Sequence, residues 1–335
     1  MRRALALVIC VVAGCTTFED PSVVLDLRIV AITASLDPNA GPHQLTFGPE
    51  QVIDVDLEHP NPTEILAQLQ PTTICGMIAD PAKHRELRWK MTVCLLGLDD
   101  RCDLAHPVIE LGSGLLADPD DSEVPQPACA ELVTVQNQTL LTILREAVQA
   151  NPVQALGGIE YGVMLTVDDP ANPTDVVYGA KHLKVSARNP VDRVANSNPF
   201  IQYLDAAITG VGILVVSCRC GDPVCDAPSI RAGSVLTLFP VEPEAVREEY
   251  YAARLDGTSS KITETITYQW LAGSGAFSDE TTGGGHDVLG NQSLLGTEWR
   301  APRGHTEPIL VPLWMLQRDE RYGVGYFESC IEVLP

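Results

Sequence analysis

The sequence predicts a mainly β chain folded as two β-sandwich domains in tandem, the first carrying a helical insertion. Three observations predict it. Several segments alternate strictly between apolar and polar residues, the pattern of strands with one buried face. Eight cysteines beyond the N-terminal segment divide evenly, four before residue 130 and four after residue 217. Between these groups, Asn189–Asn198 holds the step Asn189-Pro190, is followed by Pro199, and contains few large apolar residues. It reads as a link between domains.

The elements follow in order. Leu25, Leu27 and Ile29 alternate with Asp26 and Arg28, and Ile53, Val55 and Leu57 alternate with Asp54, Asp56 and Glu58. Leu87, Trp89, Met91 and Val93 alternate with Arg88, Lys90 and Thr92. Ile159–Val167 and Val176–Val185 flank the turn-forming segment Asp168–Pro173 and read as a hairpin. A helix interrupts the pattern: Leu140, Leu141, Leu144 and Val148 share a face, Asn137 or Thr139 can cap it, and Asn151-Pro152 stops it. Asn61–Gln70 reads as a short helix or an irregular loop. A further helix is predicted over Glu242–Arg254, with Pro243 in its first turn and Gly257 just beyond. In the second half, strands are expected at Val211–Val216, Ser234–Phe239, Thr265–Trp270, Ile309–Leu316 and Tyr326–Val333.

The first residues address the chain to a compartment. Met1-Arg2-Arg3 is positive, Ala4–Val12 is uncharged and apolar, and Val12-Ala13-Gly14-Cys15 follows. An apolar run of this length suits a signal peptide and falls short of the roughly 20 residues that span a bilayer. Val12-Ala13-Gly14-Cys15 resembles the bacterial lipobox, in which the cysteine thiol takes up diacylglycerol before cleavage and becomes the new N-terminus. Thr16-Thr17 stands where an aspartate would imply inner-membrane retention, so the resemblance implies the outer membrane. The expected layout is a signal peptide over residues 1–14 and a lipid tether over 15–20. A first sandwich follows over 21–188, a linker over 189–207 and a second sandwich over 208–335.

Composition narrows the partners. The formal charge is −22, and removing residues 1–14 with their two arginines leaves −24. Nucleic-acid binding needs clustered Lys and Arg, so nucleic acid is excluded as a partner class. The remaining expectations are the membrane, reached through the lipid, and a protein or glycan on the cell surface. Discarding Cys10 and Cys15, the disulfide candidates are Cys75, Cys94, Cys102, Cys129, Cys218, Cys220, Cys225 and Cys330. Two bridges are expected within each half. One of Cys218 and Cys220 is expected to close the loop to Cys225, and the other to reach Cys330. As a metal site, Cys218-Arg219-Cys220 lacks the usual zinc spacing.

Tyr268-Gln269-Trp270, Gly275-Ala276-Phe277, Trp299-Arg300-Ala301-Pro302 and Arg318-Asp319-Glu320-Arg321-Tyr322-Gly323 together resemble an immunoglobulin-like or PKD-like repeat of bacterial surface proteins. The whole chain also resembles uncharacterised outer-membrane lipoproteins of the myxobacterial type. They share a segment like Asp20–Arg28 and a step like Asn196-Ser197-Asn198-Pro199. The resemblance implies immunoglobulin-like β-sandwich domains, and because the family's function is unknown it carries over no catalytic residue. The usual inter-sheet cysteine pair of immunoglobulin domains is not matched, because Ser234–Phe239 lacks a cysteine.

Motifs for catalysis are missing. No His-Glu-x-x-His, Gly-x-Ser-x-Gly, phosphate loop, dinucleotide fingerprint or EF-hand loop occurs. The histidines, His43, His59, His84, His106, His182, His286 and His305, are scattered. No cofactor and no metal is expected. Asp118–Glu123, or Asp168, Asp169 and Asp175, could offer oxygens to Ca²⁺, but acidic loops are more often simply solvated. Trp89, Trp270, Trp299 and Trp314 could stack on sugars, but their strand-like contexts assign them to cores. The reading is a non-enzymatic, lipid-anchored envelope protein that binds, adheres or scaffolds. The rivals are an envelope hydrolase or carbohydrate-binding accessory, and a subunit of an outer-membrane complex.

Overall fold

A computed structural model describes residues 20–37, 48–55, 61–81, 85–97, 99–116, 126–134, 137–152, 157–208, 210–254, 258–286, 290–291 and 293–335. The chain is mainly β and forms two sandwiches in tandem.

In the first half, β1 (Arg28–Ser35), β3 (Thr72–Ala79) and β6 (Gln126–Leu132) make one antiparallel sheet in the order β1-β3-β6. The facing sheet joins β2 (Glu50–Ile53), β4 (Leu87–Cys94), β5 (Ile109–Leu116), β7 (Ile159–Asp169) and β8 (Asn172–Ala187) in the order β2-β8-β7-β4-β5. β7 and β8 are the expected hairpin. Between the sheets lie Ile74, Ile78, Met91, Val93, Val163 and Leu165, each nearly or fully buried. Two helices close this core. Helix α1 (Pro62–Gln68) takes the Asn61–Gln70 segment, and Asn61 caps it by accepting from Thr63 N. Helix α2 (Gln138–Ala150) is capped by Asn137, which accepts from Leu140 N, and buries Leu140, Ile143 and Leu144.

In the second half, β9 (Tyr203–Ile208), β10 (Val211–Val215), β12 (Val235–Val241), β16 (Ala276–Phe277) and β18 (Thr297–Arg300) form a sheet in the order β10-β9-β12-β18-β16. Its partner joins β11 (Ser229–Arg231), β15 (Ile266–Ala272), β17 (Thr281–Gly283), β19 (Ile309–Asp319) and β20 (Val324–Leu334) in the order β11-β20-β19-β15-β17. Trp270 and Trp299 lie between them, 1% and 0% exposed, so these two are core residues and not a sugar platform. Their indole N–H groups donate to Thr282 Oγ1 (2.9 Å) and the Ser274 carbonyl (3.1 Å).

The helix expected over Glu242–Arg254 does not form. Glu249–Ala253 is strand β13, paired with β14 (Ser259–Thr263). The Tyr250-Tyr251 pair favours a strand, and Glu242 turns away to bind Arg247 (2.6 Å and 2.8 Å) and the Tyr268 hydroxyl. Within 189–207, expected as linker, Asn196, Asn198 and Ile201 are buried and β9 already begins at Tyr203.

Four disulfides staple the halves: Cys75–Cys129, Cys94–Cys102, Cys218–Cys225 and Cys220–Cys330. They divide two and two, and the last pair joins the loop after β10 to strand β20. Cys75 and Cys129 stand opposite each other on β3 and β6, within one sheet.

Candidate functional site

Residues from both sandwiches converge at the junction between them, and two sequence features meet there. The first is the turn Asp319–Gly323 between β19 and β20. Asp319 Oδ1 accepts from Arg321 N (2.8 Å) and Gly323 N (2.7 Å), and Tyr322 adopts φ +74°. This side-chain bond holds a tight turn that projects into the first sandwich. The second is Asn196-Ser197-Asn198. Asn196 Nδ2 donates to Asp319 Oδ2 (3.1 Å) and to the Arg321 carbonyl (3.2 Å), and the Asn196 backbone carbonyl accepts from Gly48 N (2.6 Å). Asn198 bonds the Ala34 carbonyl on β1 (2.8 Å) and Val324 N on β20 (3.1 Å). Each asparagine therefore ties one sandwich to the other.

Arg321 is the hub. Its Nε donates to Glu264 (2.7 Å), Nη1 to Glu50 of the first sandwich (3.3 Å), and Nη2 to Glu248, while the guanidinium lies 4.8 Å above the Tyr250 ring. Glu50 also accepts from Arg193 (2.8 Å) and Ser186 (2.6 Å). Burial would disfavour the Arg321 cation, but the three carboxylates outweigh it and raise its affinity for the proton. Burial, helped by nearby Asp319, pushes the Glu264 carboxyl up to about 7.

Beside the hub, Lys181 is buried and its ammonium donates to the Tyr322 carbonyl. Burial pulls its pKa down to about 7, against the pull of Asp319. The Tyr322 ring stacks on His182 with centroids 4.7 Å apart, and its hydroxyl donates to Glu160 (2.9 Å). Burial next to Glu160 raises that phenol to about 12.

A groove of about 400 Å³ opens over this cluster. Arg321, Arg193 and Lys184 line its floor, and Tyr250, Tyr251 and Lys261 its hairpin wall. Tyr250 donates to Glu320 (2.8 Å), Tyr251 to Asp192 (2.5 Å), and Lys261 pairs with Glu249 (2.6 Å). Its charges are thus already matched within the protein. Such a groove offers tyrosine faces and paired charges.

A second contact between the sandwiches is apolar. Val24, Val30, Ala31, Met77 and Ala79 of the first pack on Leu271, Trp314, Leu316 and Tyr326 of the second. Trp314 is 1% exposed, so it belongs to this seam and not to a sugar platform. Val24 reaches it because the incoming chain pairs with β15: Val24 N donates to the Ala272 carbonyl and Ala272 N to the Ser22 carbonyl, both at 2.9 Å.

The remaining sequence candidates are placed as follows. Cys15 lies outside the described residues, as do Asp118–Glu123, His43, His59 and His84. Asp168, Asp169 and Asp175 are held by arginines: Arg88 on Asp168 (2.5 Å), and Arg85 on Asp169 (2.9 Å) and Asp175 (2.6 Å). Guanidinium groups therefore take one oxygen each of Asp169 and Asp175 and both of Asp168, and Asp169 Oδ1 accepts from Ala171 N (2.7 Å). Among the described residues, no group of three or more His, Cys, Asp or Glu could hold a metal ion. Trp89 is half-buried and lies against Gly112 and Gly114. Among the described histidines, His182 alone touches the junction turn. The Arg321 hub was not found by sequence reasoning; its only signal was the Arg318–Gly323 segment, which contains it.

No family model and no curated protein matches the chain. Among solved structures, red sea bream transglutaminase aligns at 7% identity, covering 89% of this chain and 32% of that one, with a TM-score of 0.22. A Salmonella alpha-2-macroglobulin mutant aligns at 9% identity, covering 94% and 17%, with a TM-score of 0.21. Dimeric latent PorU from Porphyromonas gingivalis aligns at 8% identity, covering 92% and 24%, with a TM-score of 0.20. The chain spans a third or less of each of these proteins.

Proposed function

We propose that this chain is a lipid-anchored protein of the bacterial outer membrane that binds or scaffolds, and does not catalyse. The observation that supports this reading is where the chain joins its body. Ser22–Val24 is locked into the seam between the sandwiches, and Val24 is fully buried. Cys15 precedes Asp20 by five residues, a reach of roughly 17 Å when extended. A lipid at Cys15 would hold the two-sandwich body close to the bilayer by its middle. Two stapled sandwiches fixed to each other suit a platform, and the groove beside Arg321 is the surface best placed to meet a protein or glycan.

The anchor is tested by Cys15→Ala, followed through membrane fractionation and metabolic labelling with a fatty acid. The expected product is unlabelled, unprocessed at residue 15 and absent from the outer-membrane fraction. A labelled, processed, membrane-bound variant overturns the proposal. The platform role is tested by capturing the lipidated protein from native membranes, comparing wild type with Tyr250→Ala/Tyr251→Ala. Co-purifying material that depends on the tyrosines supports the groove, and identical profiles remove it.

A further inference from the structure

Sheet edges are normally guarded by charge, proline, brevity or a covering element, because an open edge templates pairing with another chain. In the second sandwich, β11, β16 and β17 are edges of three residues or fewer. The fourth edge, β10, is different. Val211-Gly212-Ile213-Leu214-Val215 carries no charge and no proline, and among the described residues no other strand pairs with its outer side. Val211 is 65% exposed and Leu214 57%. The chain turns away to the other sheet only at Val216, whose carbonyl accepts from Ser329, and at Cys218, whose N–H donates to Glu328.

The register settles which groups are open. Val211 pairs with Ile208 across a two-residue connection, so that pair exchanges hydrogen bonds, and alternation gives the next such pair to Ile213 and Ala206. The backbone N–H and C=O of Gly212 and Leu214 therefore point outward, away from β9. These two residues also share the outer face of the sheet, while Val215 is buried and Ile213 packs toward the core.

We infer that β10 pairs with β10 of a second copy of this chain, antiparallel about a two-fold axis through Ile213. The strand is self-complementary in that arrangement. Gly212 of each copy then faces Leu214 of the other, and the two exchange the backbone bonds left open on each edge. A side chain at Gly212 would meet nothing within 4 Å, and Ala207 stands beside it on β9. Leu214 of one copy thus lies over the small residues Gly212 and Ala207 of the other. Ile213 meets Ile213 on the inner side. Electrostatics permit it despite the acidic chain: the nearest outer-face charge is Asp205, opposite Leu214 on β9. Three strand spacings and a two-residue stagger separate the two Asp205 carboxylates by roughly 16 Å, beyond the screening length of about 8 Å at physiological salt. The result is one continuous sheet running through both copies.

The test uses the full-length protein extracted from membranes in mild detergent. Sedimentation from about 1 to 100 μM should show a monomer–dimer equilibrium, weakened at least tenfold by Leu214→Lys and by Gly212→Pro. Val224→Lys, the same charge change at a residue 85% exposed in the Cys218–Cys225 loop, should leave it unchanged. Thermal melts of each variant check that the fold persists. In cells, a photoreactive benzoylphenylalanine at position 214 should cross-link two copies, with the adduct on the Ala207–Leu214 peptide. A monomer at every concentration, a dimer indifferent to Leu214→Lys and Gly212→Pro, or cross-links only to a different protein would each overturn the inference.

Discussion

The two sandwiches meet across two patches of opposite chemistry. One is apolar and packs Trp314, Leu316 and Tyr326 on Met77, Val30 and Ala31. The other is ionic, with Arg321 held among Glu50, Glu248 and Glu264. Burying apolar surface contributes net stability, roughly 25 cal/mol per Å². A buried ion cluster contributes little net, because desolvation consumes the Coulomb gain, yet it tolerates one arrangement only. The apolar patch therefore holds the domains together, and the ionic patch fixes how they face each other. The asparagines at 196 and 198 add the same kind of directional constraint.

That division of labour is open to direct attack. The largest effect should come from Trp314→Ala, which removes the largest side chain of the apolar seam. We expect a loss of about 4 kcal/mol in urea unfolding, with the two sandwiches no longer melting together. A loss below about 1 kcal/mol would mean the seam is not what joins them. Next comes Arg321→Met, which leaves three carboxylates facing one another. A loss of about 3 kcal/mol is expected at pH 8. It should shrink toward pH 5, because Glu264, already raised to about 7, then takes up a proton. A cost independent of pH would show that the carboxylates are not the source.

The third effect has the opposite sign. Glu328 on β20 is 1% exposed, lies 3.9 Å from Arg219, and burial pushes its pKa up to about 7. A raised carboxyl means that the folded state favours the protonated form. The resulting penalty is complete above pH 7 and vanishes below the unfolded value near 4.5. Glu328→Gln should thus stabilise by up to about 3 kcal/mol at pH 8 and do nothing at pH 4. Melting temperatures at the two pH values check this; equal shifts at both would refute the burial argument.

Much of the architecture was legible in the residues. Strict alternation located β4, β7 and β8, the helix over Gln138–Ala150 showed its face and cap, and the cysteine grouping anticipated that Cys225 and Cys330 each pair with one of Cys218 and Cys220, leaving open which. Strand β3 went unseen for a physical reason. Its residues are buried on both sides, Ile74 and Ile78 by the first core and Met77 and Ala79 by the other domain. A strand covered on both faces loses the period-two signal. The Glu242–Arg254 segment failed differently: a proline and a run of glutamates mimic a helix start, and pairing with the next strand, Ser259–Thr263, overrides it. The Arg321 hub was illegible because its partners, Glu50, Glu248 and Glu264, are assembled by tertiary structure over more than 270 residues of sequence separation.

The bridge between Cys220 and Cys330 spans 110 residues, nearly the whole second sandwich. A protease that cuts any loop between residues 225 and 330 therefore releases nothing. The fragments stay joined, and a nicked copy keeps all of its surface. Cys75–Cys129 does the same for residues 76–128. On a reducing gel such a molecule would run as pieces; on a non-reducing gel it would run as one. Where such a chain meets a protease, this covalent clasp holds the pieces together in a way that folding energy alone does not.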